Sequence, residues 1–228
     1  AKLNPNAQTR TWYMNYDHAM SRDEFNGTIG GRIHISDCSQ VTDGAVALML
    51  ASPEYAKKWA DRNGVSLDDI PRIKGWGHNT ARIRFEDKVA ESANDEYVLP
   101  HVRSTVTNAM KRAGIADVSE IDSIETHDCF TTSEYMAIDH FGLTAPGQSW
   151  KAVESGEIAL GGKTPINPSG GLIGAGHPVG ATGVRQVLDS HKQITGQAGE
   201  YQVEGAKNVQ TLNIGGSGTT SVSFVVGK

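Results

Sequence analysis

The 228 residues carry a formal net charge of -5 and are 38% hydrophobic, which predicts a globular chain and argues against disorder and against nucleic-acid binding. The two cysteines, Cys38 and Cys129, stand apart from any CxxC or Cys/His cluster. The cysteines therefore argue against a disulfide framework and a metal site. The sequence also contains no run of about 18 apolar residues, which is the length that would predict a membrane span.

The first 43 residues show no sustained periodicity and are interrupted by glycines, which predicts an irregular or short-helical region. The apolar run GAVALMLAS (44–52) then predicts a buried strand. Ser52 and Pro53 follow it in the pattern of an N-cap and a first helical turn. We therefore expect a helix over about 53–63 that ends before Gly64.

Strand and helix patterns alternate from residue 71 onward. The predicted strands are 71–83, 121–126, NVQTLNI and TTSVSFVV, and the predicted helices end at Gly114, at Gly142 and after Ile194. Alternation of this kind predicts a three-layer α/β domain with a mostly parallel sheet. Sixteen of the 26 glycines lie in residues 156–228, so we expect the ligand there.

The segment ETHDCFTTSE places His127 and Cys129 between a predicted strand and a predicted helix. Open α/β folds bind ligands at such turns. The partial positive charge of a helix N-terminus lowers the pKa of a thiol and suits it to proton transfer or nucleophilic attack. The alternative is a buried cysteine that serves only as a small hydrophobic residue.

The segment NPSGGLIGAGHPVGATG (167–183) surrounds His177 with six glycines. We interpret the glycines as a wall, free of side chains, against which a ligand lies. A histidine near a helix N-terminus is expected to stay neutral and to donate a hydrogen bond to a carbonyl oxygen, which is an oxyanion-stabilising role. The alternative is a tight turn whose histidine bonds only locally.

The segment NIGGSGTTS (213–221) is a glycine-rich turn between the last two predicted strands. It is either a hairpin turn or a place where a backbone N–H is exposed to an anion. The glycine spacing at 174, 176 and 180 does not fit the dinucleotide fingerprint G-x-G-x-x-G, because the run follows no clear strand and contains Pro178. Nicotinamide binding is therefore not expected.

Together these motifs resemble the thiolases, and specifically their sterol-carrier-protein branch. NPSGGLIGAGHPVGATG is similar to the thiolase signature NxxGGxxxxGHPxGxxG, HDCF is similar to that branch's replacement for NEAF, and NIGGSG stands where other thiolases carry a CxG loop. The resemblance implies a thiolase-like three-layer α-β-α fold with a mixed five-stranded sheet. The implied domains are a lid remnant (1–43), the last strand and linking helix of an N-terminal domain (44–70), and a C-terminal domain (71–228).

The resemblance implies Claisen condensation or thiolytic cleavage of 3-ketoacyl-CoA. His177 would help to activate the nucleophile and, joined by His127, would stabilise the thioester enolate oxygen. Cys129 would be the acid/base. Gly215 would offer its N–H to a second oxyanion hole. The residues expected to contact coenzyme A are Ser39, Gly174, Gly176 and Asn213, the last of which replaces the CxG cysteine. Coenzyme A is a substrate here, and no resident cofactor or metal is implied.

The resemblance leaves the nucleophilic cysteine unaccounted for, because in thiolases it belongs to the first half. Cys38 lies in a connecting segment and is expected to be structural. We therefore expect a cut product that is inactive alone, with the N-terminal half a separate fragment or lost, and a dimer or tetramer when intact. The competing interpretation is a non-catalytic or aldolase-like homologue that binds acyl-CoA or supports a partner. A cytoplasmic setting is expected, because FVVGK is no peroxisomal tripeptide, with peroxisome or mitochondrion the alternatives in a eukaryote.

Overall fold

The computed structural model describes residues 3–11, 17 and 26–228. The strands are β1 (Thr28–Gly30), β2 (Ile33–His34), β3 (Arg72–Thr80), β4 (Ser123–Thr126), β5 (Asn208–Gly215) and β6 (Thr220–Gly227). The α-helices are α1 (Pro53–Asn63), α2 (Phe85–Ser92), α3 (Pro100–Ala113), α4 (Thr131–Phe141), α5 (Trp150–Ser155), α6 (Gly171–Ala175) and α7 (Thr182–Thr195). Short 3-10 turns lie at Ile35–Asp37, Leu67–Asp69, Val118–Glu120 and Gly199–Tyr201.

The main sheet has the strand order β3-β6-β5-β4. β6 is antiparallel to both of its neighbours, and only β4 and β5 run parallel. The mixed sheet implied by the thiolase resemblance is thereby confirmed. The expectation of a mostly parallel sheet was wrong, because β5 and β6 are joined by a tight turn, which can connect only antiparallel neighbours.

The main sheet that the described residues form has four strands, and the fifth strand that was expected is absent from it. Its place is taken by Ile166, which makes one isolated parallel bridge to Ile124 of β4. The flanking Pro165 and Pro168 lack the N–H that a ladder needs, and Asn167 has a φ of 51°. A left-handed residue beside two prolines therefore limits the pairing to a single bridge.

Helices cover both faces of the sheet, which gives the three layers. On one face, Val106 of α3 and Ile138 of α4 share a core with Val225 of β6. On the other face, Ile194 of α7 packs with Val226, the neighbour of Val225 in β6. Successive side chains of a strand point to opposite faces, so β6 contributes to both cores.

Two glycines let α3 lie directly on the edge strand β3. A Cβ atom at Gly75 would lie 2.1 Å from the carbonyl oxygen of Ala109, and one at Gly77 would lie 1.9 Å from that of Thr105. Both distances are far too short for real atoms. The glycines that interrupt this strand in the sequence are therefore required by the helix packed against it.

The segment 44–52 corrects a sequence prediction. It forms no strand, and Met49 and Leu50 are 87% and 73% exposed. A strand requires a neighbour to satisfy its backbone groups, and no strand in the described part of the chain pairs with this run. The helix that follows is confirmed as α1, with the Tyr55 N–H donating to Ser52 Oγ over 3.2 Å and Gly64 as its left-handed C-cap.

The region over 1–43 is partly outside the described residues. Its described portion contains the small antiparallel pair of β1 and β2, which the sequence did not predict. The sequence also missed α2, α5 and α6. Within the described ranges, no helix is both long and apolar enough to cross a membrane.

Candidate active site

Two of the sequence motifs meet because β4 and β5 run parallel. Thr126, the last residue of β4, is paired with Leu212 of β5. His127 to Phe130 therefore leave the sheet beside Asn213 to Gly215, at the carboxyl edge where α/β folds place their ligands. The glycine-rich segment brings His177 to the same place, and the rings of His127 and His177 lie 5.2 Å apart at an angle of 85°.

These residues line a cavity of about 780 Å³. His127, Cys129, His177, Asn213 and Gly215 are on its polar side. The remaining wall includes the apolar side chains of Phe85, Val98, Leu99, Phe130, Met136 and Val179. A few convergent polar groups against a largely apolar wall are typical of a small-molecule site.

His177 is buried and fixed at both its backbone and its ring. Its N–H donates to the carbonyl oxygen of Gln40 over 2.9 Å, and its carbonyl accepts from the Thr42 N–H. Its Nδ1 lies 2.7 Å from Thr182 Oγ1. Burial, and to a lesser extent the charge of Arg185, lowers the pKa of His177. The expected neutral imidazole is thus supported, with burial as the leading cause.

His127 is buried with one nitrogen unused. Its Nδ1 has no hydrogen-bond partner among the described residues. Burial, followed by the nearby His177, lowers the pKa of His127 to about 4. The site therefore holds two neutral imidazoles at neutral pH, and each can donate or accept a hydrogen bond according to its tautomer.

Cys129 lies one residue before Phe130, the N-cap of α4. We expected the helix to lower the pKa of the thiol, and this was wrong: burial raises it, and the Asp128 carboxylate adds to the effect, while Ser133 and backbone hydrogen bonds oppose it. The Sγ atom lies 3.6 Å from Ser133 Oγ. Because desolvation disfavours the thiolate, Cys129 is a protonated thiol at neutral pH.

Several glycines of 167–183 pack against the chain itself, which corrects the expected ligand wall. A Cβ at Gly171 would lie 2.4 Å from Asp128 Oδ2, and one at Gly176 would lie 2.9 Å from Thr42. The carbonyl of Gly174 accepts hydrogen bonds from the backbone N–H groups of residues 8 and 9. Much of the bare backbone is therefore needed to fit the segment between its own neighbours.

Asp128 joins the HDCF motif to the glycine-rich segment. Its Oδ1 accepts from the Leu172 N–H over 2.6 Å, and its Oδ2 accepts from the Ile173 N–H over 3.2 Å. Burial raises the pKa of Asp128 to about 6, although these hydrogen bonds oppose the shift. Arg185 holds the same segment from the other side by donating to the carbonyl oxygens of Gly171 and Gly176.

Two further carboxyl groups lie beneath the site, of which Glu125 is 1% exposed and Glu134 is partly exposed. Ser169 Oγ donates to Glu125 Oε2 over 2.6 Å, and Asn167 Nδ2 donates to Glu134 Oε2 over 3.1 Å. Burial is the main cause that raises the pKa of each glutamate to about 8. Both are therefore mostly protonated at pH 7.

The turn after β5 is held by a buried lysine. Lys88 is 3% exposed, and its ammonium donates to the carbonyl oxygens of Ile83 and Ser217 and to Thr219 Oγ1, at 3.0 to 3.1 Å. His101 Nε2 lies 2.7 Å from the Gly218 carbonyl oxygen. These contacts fix the backbone beside Gly215, which pairs with Thr220 in the ladder.

The other expected contact residues lie in two groups. Asn213 and Gly215 line the cavity, whereas Ser39, Gly174 and Gly176 are outside its lining. Ser39 is next to the site through its backbone, since its N–H donates to the Cys129 carbonyl over 2.8 Å. Cys38 is buried, and its thiol contacts the His34 carbonyl over 3.4 Å, as expected of a structural cysteine.

Sequence reasoning missed the residues that support the site. Asp128 stands inside the quoted HDCF motif and Thr182 inside the quoted glycine-rich motif, so both had a signal in the motifs themselves. Lys88 had none, because an isolated lysine in a polar stretch is ordinarily exposed. Its burial depends on a contact with residues about 130 positions away.

The mixed sheet between two helical layers, with a Cys/His site at the carboxyl edge, defines the chain as a thiolase-like α/β protein. The family model "Thiolase C-terminal domain-like" matches residues 85–228. The chain therefore belongs to the thiolase C-terminal domain-like family, as its motifs predicted.

Curated relatives agree with this assignment. The chain is 33% identical over 193 residues to an acetyl-CoA acetyltransferase of Methanothermobacter thermautotrophicus, covering 85% of this chain and 47% of the relative. It is 34% identical to human sterol carrier protein 2, covering 83% and 33%, and 29% identical to benzoylsuccinyl-CoA thiolase subunit BbsB of Thauera aromatica, covering 83% and 46%. The chain thus spans about half or less of these relatives.

A solved structure also shares the fold. The chain aligns with "Ltp2-ChsH2(DUF35) aldolase" at a TM-score of 0.55 and 17% identity, over 69% of this chain and 39% of that one. At this identity the likeness concerns the fold alone.

Proposed function

We propose that this chain is the C-terminal part of a thiolase-type acyltransferase that makes or cleaves 3-ketoacyl-CoA by Claisen chemistry. The observation that carries the proposal is the meeting of two neutral histidines and a protonated thiol in one cavity with a largely apolar wall. Claisen chemistry needs these parts, since a proton must move at the carbon next to a thioester and the enolate oxygen must be stabilised.

Cys129 is the proposed acid/base. A thiol that stays protonated can give a proton to a carbanion and, as a transient thiolate, take one back. Ser133, 3.6 Å from the sulfur, would stabilise that thiolate by donating a hydrogen bond. The raised pKa thus suits proton transfer better than it suits attack on an acyl group.

His177 and His127 are the proposed donors to the thioester oxygen. Their rings lie 5.2 Å apart and both residues line the cavity, which supports a common role for the pair. Each ring is neutral, which allows the hydrogen bond to strengthen as charge develops on the oxygen. Gly215 and Asn213, which line the same cavity, are the proposed second polar contact of the substrate.

The acyl-bearing nucleophile is proposed to come from a polypeptide segment beyond these 228 residues. Cys38 is buried and is not among the residues that line the cavity, and Cys129 is assigned the proton transfer. The resemblance to thiolases places the nucleophile in their first half, and the chain spans 47% or less of the relatives named above. Acyl-CoA as substrate and a homo-oligomeric state of the intact protein are part of the same proposal.

Exchange of the methyl protons of acetyl-CoA in D₂O tests the proposal, with the protein expressed from its complete gene. We expect exchange to fall by about 10²–10⁴ in Cys129→Ala, the range for loss of a positioned acid/base. Formation of the acyl-enzyme should persist. His177→Ala should lose about 10²–10³ in rate, as for removal of an oxyanion donor.

Cys38→Ala is the matched control, because it removes the other cysteine of these 228 residues, whose side chain does not line the cavity. It should exchange protons at close to the wild-type rate. Equal loss of exchange in Cys38→Ala and Cys129→Ala would contradict the assignment. Binding of acetyl-CoA with neither exchange nor acylation would instead indicate the non-catalytic or aldolase-like homologue.

A further inference from the structure

Thr182 is buried directly behind His177. It is fully buried and begins α7, and its Oγ1 lies 2.7 Å from His177 Nδ1 and 3.2 Å from the carbonyl oxygen of Pro178. A threonine hydroxyl has a single proton and can donate to only one of these two atoms at a time. The direction of that proton therefore decides which tautomer of His177 is satisfied.

Both directions satisfy Nδ1 of His177 and the hydroxyl of Thr182. When the hydroxyl donates to Pro178, its oxygen accepts from a protonated Nδ1, and Nε2 is left as an acceptor. When the hydroxyl donates to an unprotonated Nδ1, Nε2 carries the proton and is a donor. The Pro178 carbonyl also accepts from the N–H groups of Ala181 and Thr182, at 2.7 and 3.0 Å, so it stays satisfied when the hydroxyl turns away.

The two states matter because the resemblance to thiolases implies two uses of His177, the activation of a nucleophile and the stabilisation of the thioester oxygen, and these need Nε2 in opposite states. Activation of a nucleophilic thiol requires Nε2 as a proton acceptor, whereas stabilisation of a thioester oxygen requires Nε2–H as a donor. A partner with a fixed polarity at Nδ1, such as a carboxylate or a backbone carbonyl, would stabilise only the first state. The groups facing His177 besides Thr182 are His127 and the cationic Arg185, and neither fixes the tautomer at Nδ1.

We propose that Thr182 is a positioning residue that keeps both neutral tautomers of His177 accessible by rotation of its hydroxyl. The functional need for two tautomers rests on the proposed function. The accessibility of both tautomers rests on the hydrogen bonds alone. The change of tautomer balances without any co-reactant except water: one proton leaves Nδ1 for solvent, one from solvent binds Nε2, and the net charge of the ring is unchanged.

The tautomers can be measured directly by long-range ¹H–¹⁵N spectra of the chain labelled with ¹⁵N-histidine. The chain has eight histidines, and His177→Gln identifies the signals that belong to His177. At a pH where the ring is neutral, we expect the two ring nitrogens of the wild type to show averaged shifts, with each tautomer present at about one tenth or more.

Thr182→Val removes the hydroxyl at nearly constant volume. We expect the tautomer ratio to move at least about fivefold toward one form, because a buried ring nitrogen loses the partner that the described residues give it. Thr182→Ser, which retains the hydroxyl, should keep the wild-type ratio. If the valine disturbs the packing, Thr182→Ala also removes the hydroxyl without adding a methyl group, and the tautomer ratio can be measured in that variant instead.

A single tautomer in the wild type that persists in Thr182→Val would overturn the proposal, as would a serine variant that behaves like valine. Addition of acetyl-CoA to the protein expressed from its complete gene separates this inference from the proposed function. Under the proposed function, acetyl-CoA should shift wild-type His177 toward the Nε2–H form. Two tautomers that depend on Thr182 but do not respond to acetyl-CoA would support the role of Thr182 and count against the proposed function.

Discussion

Two short segments of this chain have the opposite burial from the one that their composition predicts. The run 44–52 is almost entirely apolar, yet Met49 and Leu50 are largely exposed. The segment 167–183 is rich in glycine and polar residues, yet Leu172, Asn167, Ser169 and Thr182 are buried. The difference teaches that a segment is buried only where neighbours can satisfy its backbone, whatever the hydrophobicity of its side chains.

Truncation of one leucine in each segment gives the largest expected contrast. Leu172→Ala removes a fully buried side chain, so we expect it to lower the free energy of unfolding by about 2–5 kcal/mol. Leu50→Ala removes a side chain that is 73% exposed and should change the free energy of unfolding by less than about 0.5 kcal/mol. Urea unfolding of both variants measures these changes. Equal losses of unfolding free energy would contradict the difference in burial between the two segments.

A pair of glycines tests whether the bare backbone of 167–183 is needed for packing. At Gly171 the φ is +58°, and a Cβ would collide with the Asp128 carboxylate, so we expect Gly171→Ala to cost about 2–3 kcal/mol of unfolding free energy. At Gly180 a Cβ would meet nothing within 4 Å. Gly180→Ala should therefore be nearly neutral, and a comparable loss there would show that flexibility rather than fit matters.

The turn over 215–219 extends the comparison to the other glycine-rich segment. Lys88→Met keeps the length of the side chain but leaves two carbonyl oxygens and one hydroxyl without their donor, and we expect a cost of about 2 kcal/mol. Hydrogen exchange should accelerate at the amides of 215–219. Lys74→Met is the control, since that lysine lies in β3 and contacts Asn208; acceleration of 215–219 in this variant would contradict the specific role of Lys88.

Burial of carboxyl groups beneath 167–183 should make stability depend on pH. The pKa of Glu134 and of Glu125 is about 8 in the folded chain and near 4.3 when unfolded. Because the folded state then holds more protons, their contribution to the free energy of unfolding is full below pH 4 and is lost as the pH rises to about 8. The loss is at most about 1.4 kcal/mol per pH unit for each group.

Chemical unfolding between pH 6.5 and 8 isolates this effect. The pKa of His127 and that of His177 are lowered, so these groups affect stability mainly below pH 6.5, where their contribution rises with pH. Glu134→Gln should reduce the decline of the free energy of unfolding between pH 6.5 and 8. Glu157→Gln, at a half-exposed position near Lys163, is the control, and an equal reduction there would refute the assignment to Glu134.

The sequence predicted most of the regular structure of residues 71–228. The glycines at 114 and 142 end α3 and α4 with positive φ, and the last two strands occur where β-branched residues alternate. It missed α2, α5 and α6, which are five to eight residues long. Helices this short carry too few turns to show a period and are stabilised mainly by tertiary contacts.

The sequence predicted which residues form the candidate site more fully than it predicted their protonation states. The motifs identified His127, Cys129, His177, Asn213 and Gly215, which meet in one cavity. The raised pKa of Cys129 could not be predicted, because burial outweighs the helix terminus and burial is not a property of the local sequence. The same reason hid Lys88 and the two protonated glutamates.

The sequence by itself thus determined the chemical groups, the caps and turns, and membership of the thiolase C-terminal domain-like family, because each depends on neighbours within one motif. Only the tertiary structure decided that Asp128 lies where Gly171 has no side chain and that Thr182 faces His177. These depend on which backbone groups and side chains meet in space, since hydrogen bonding and desolvation act between whatever atoms are adjacent.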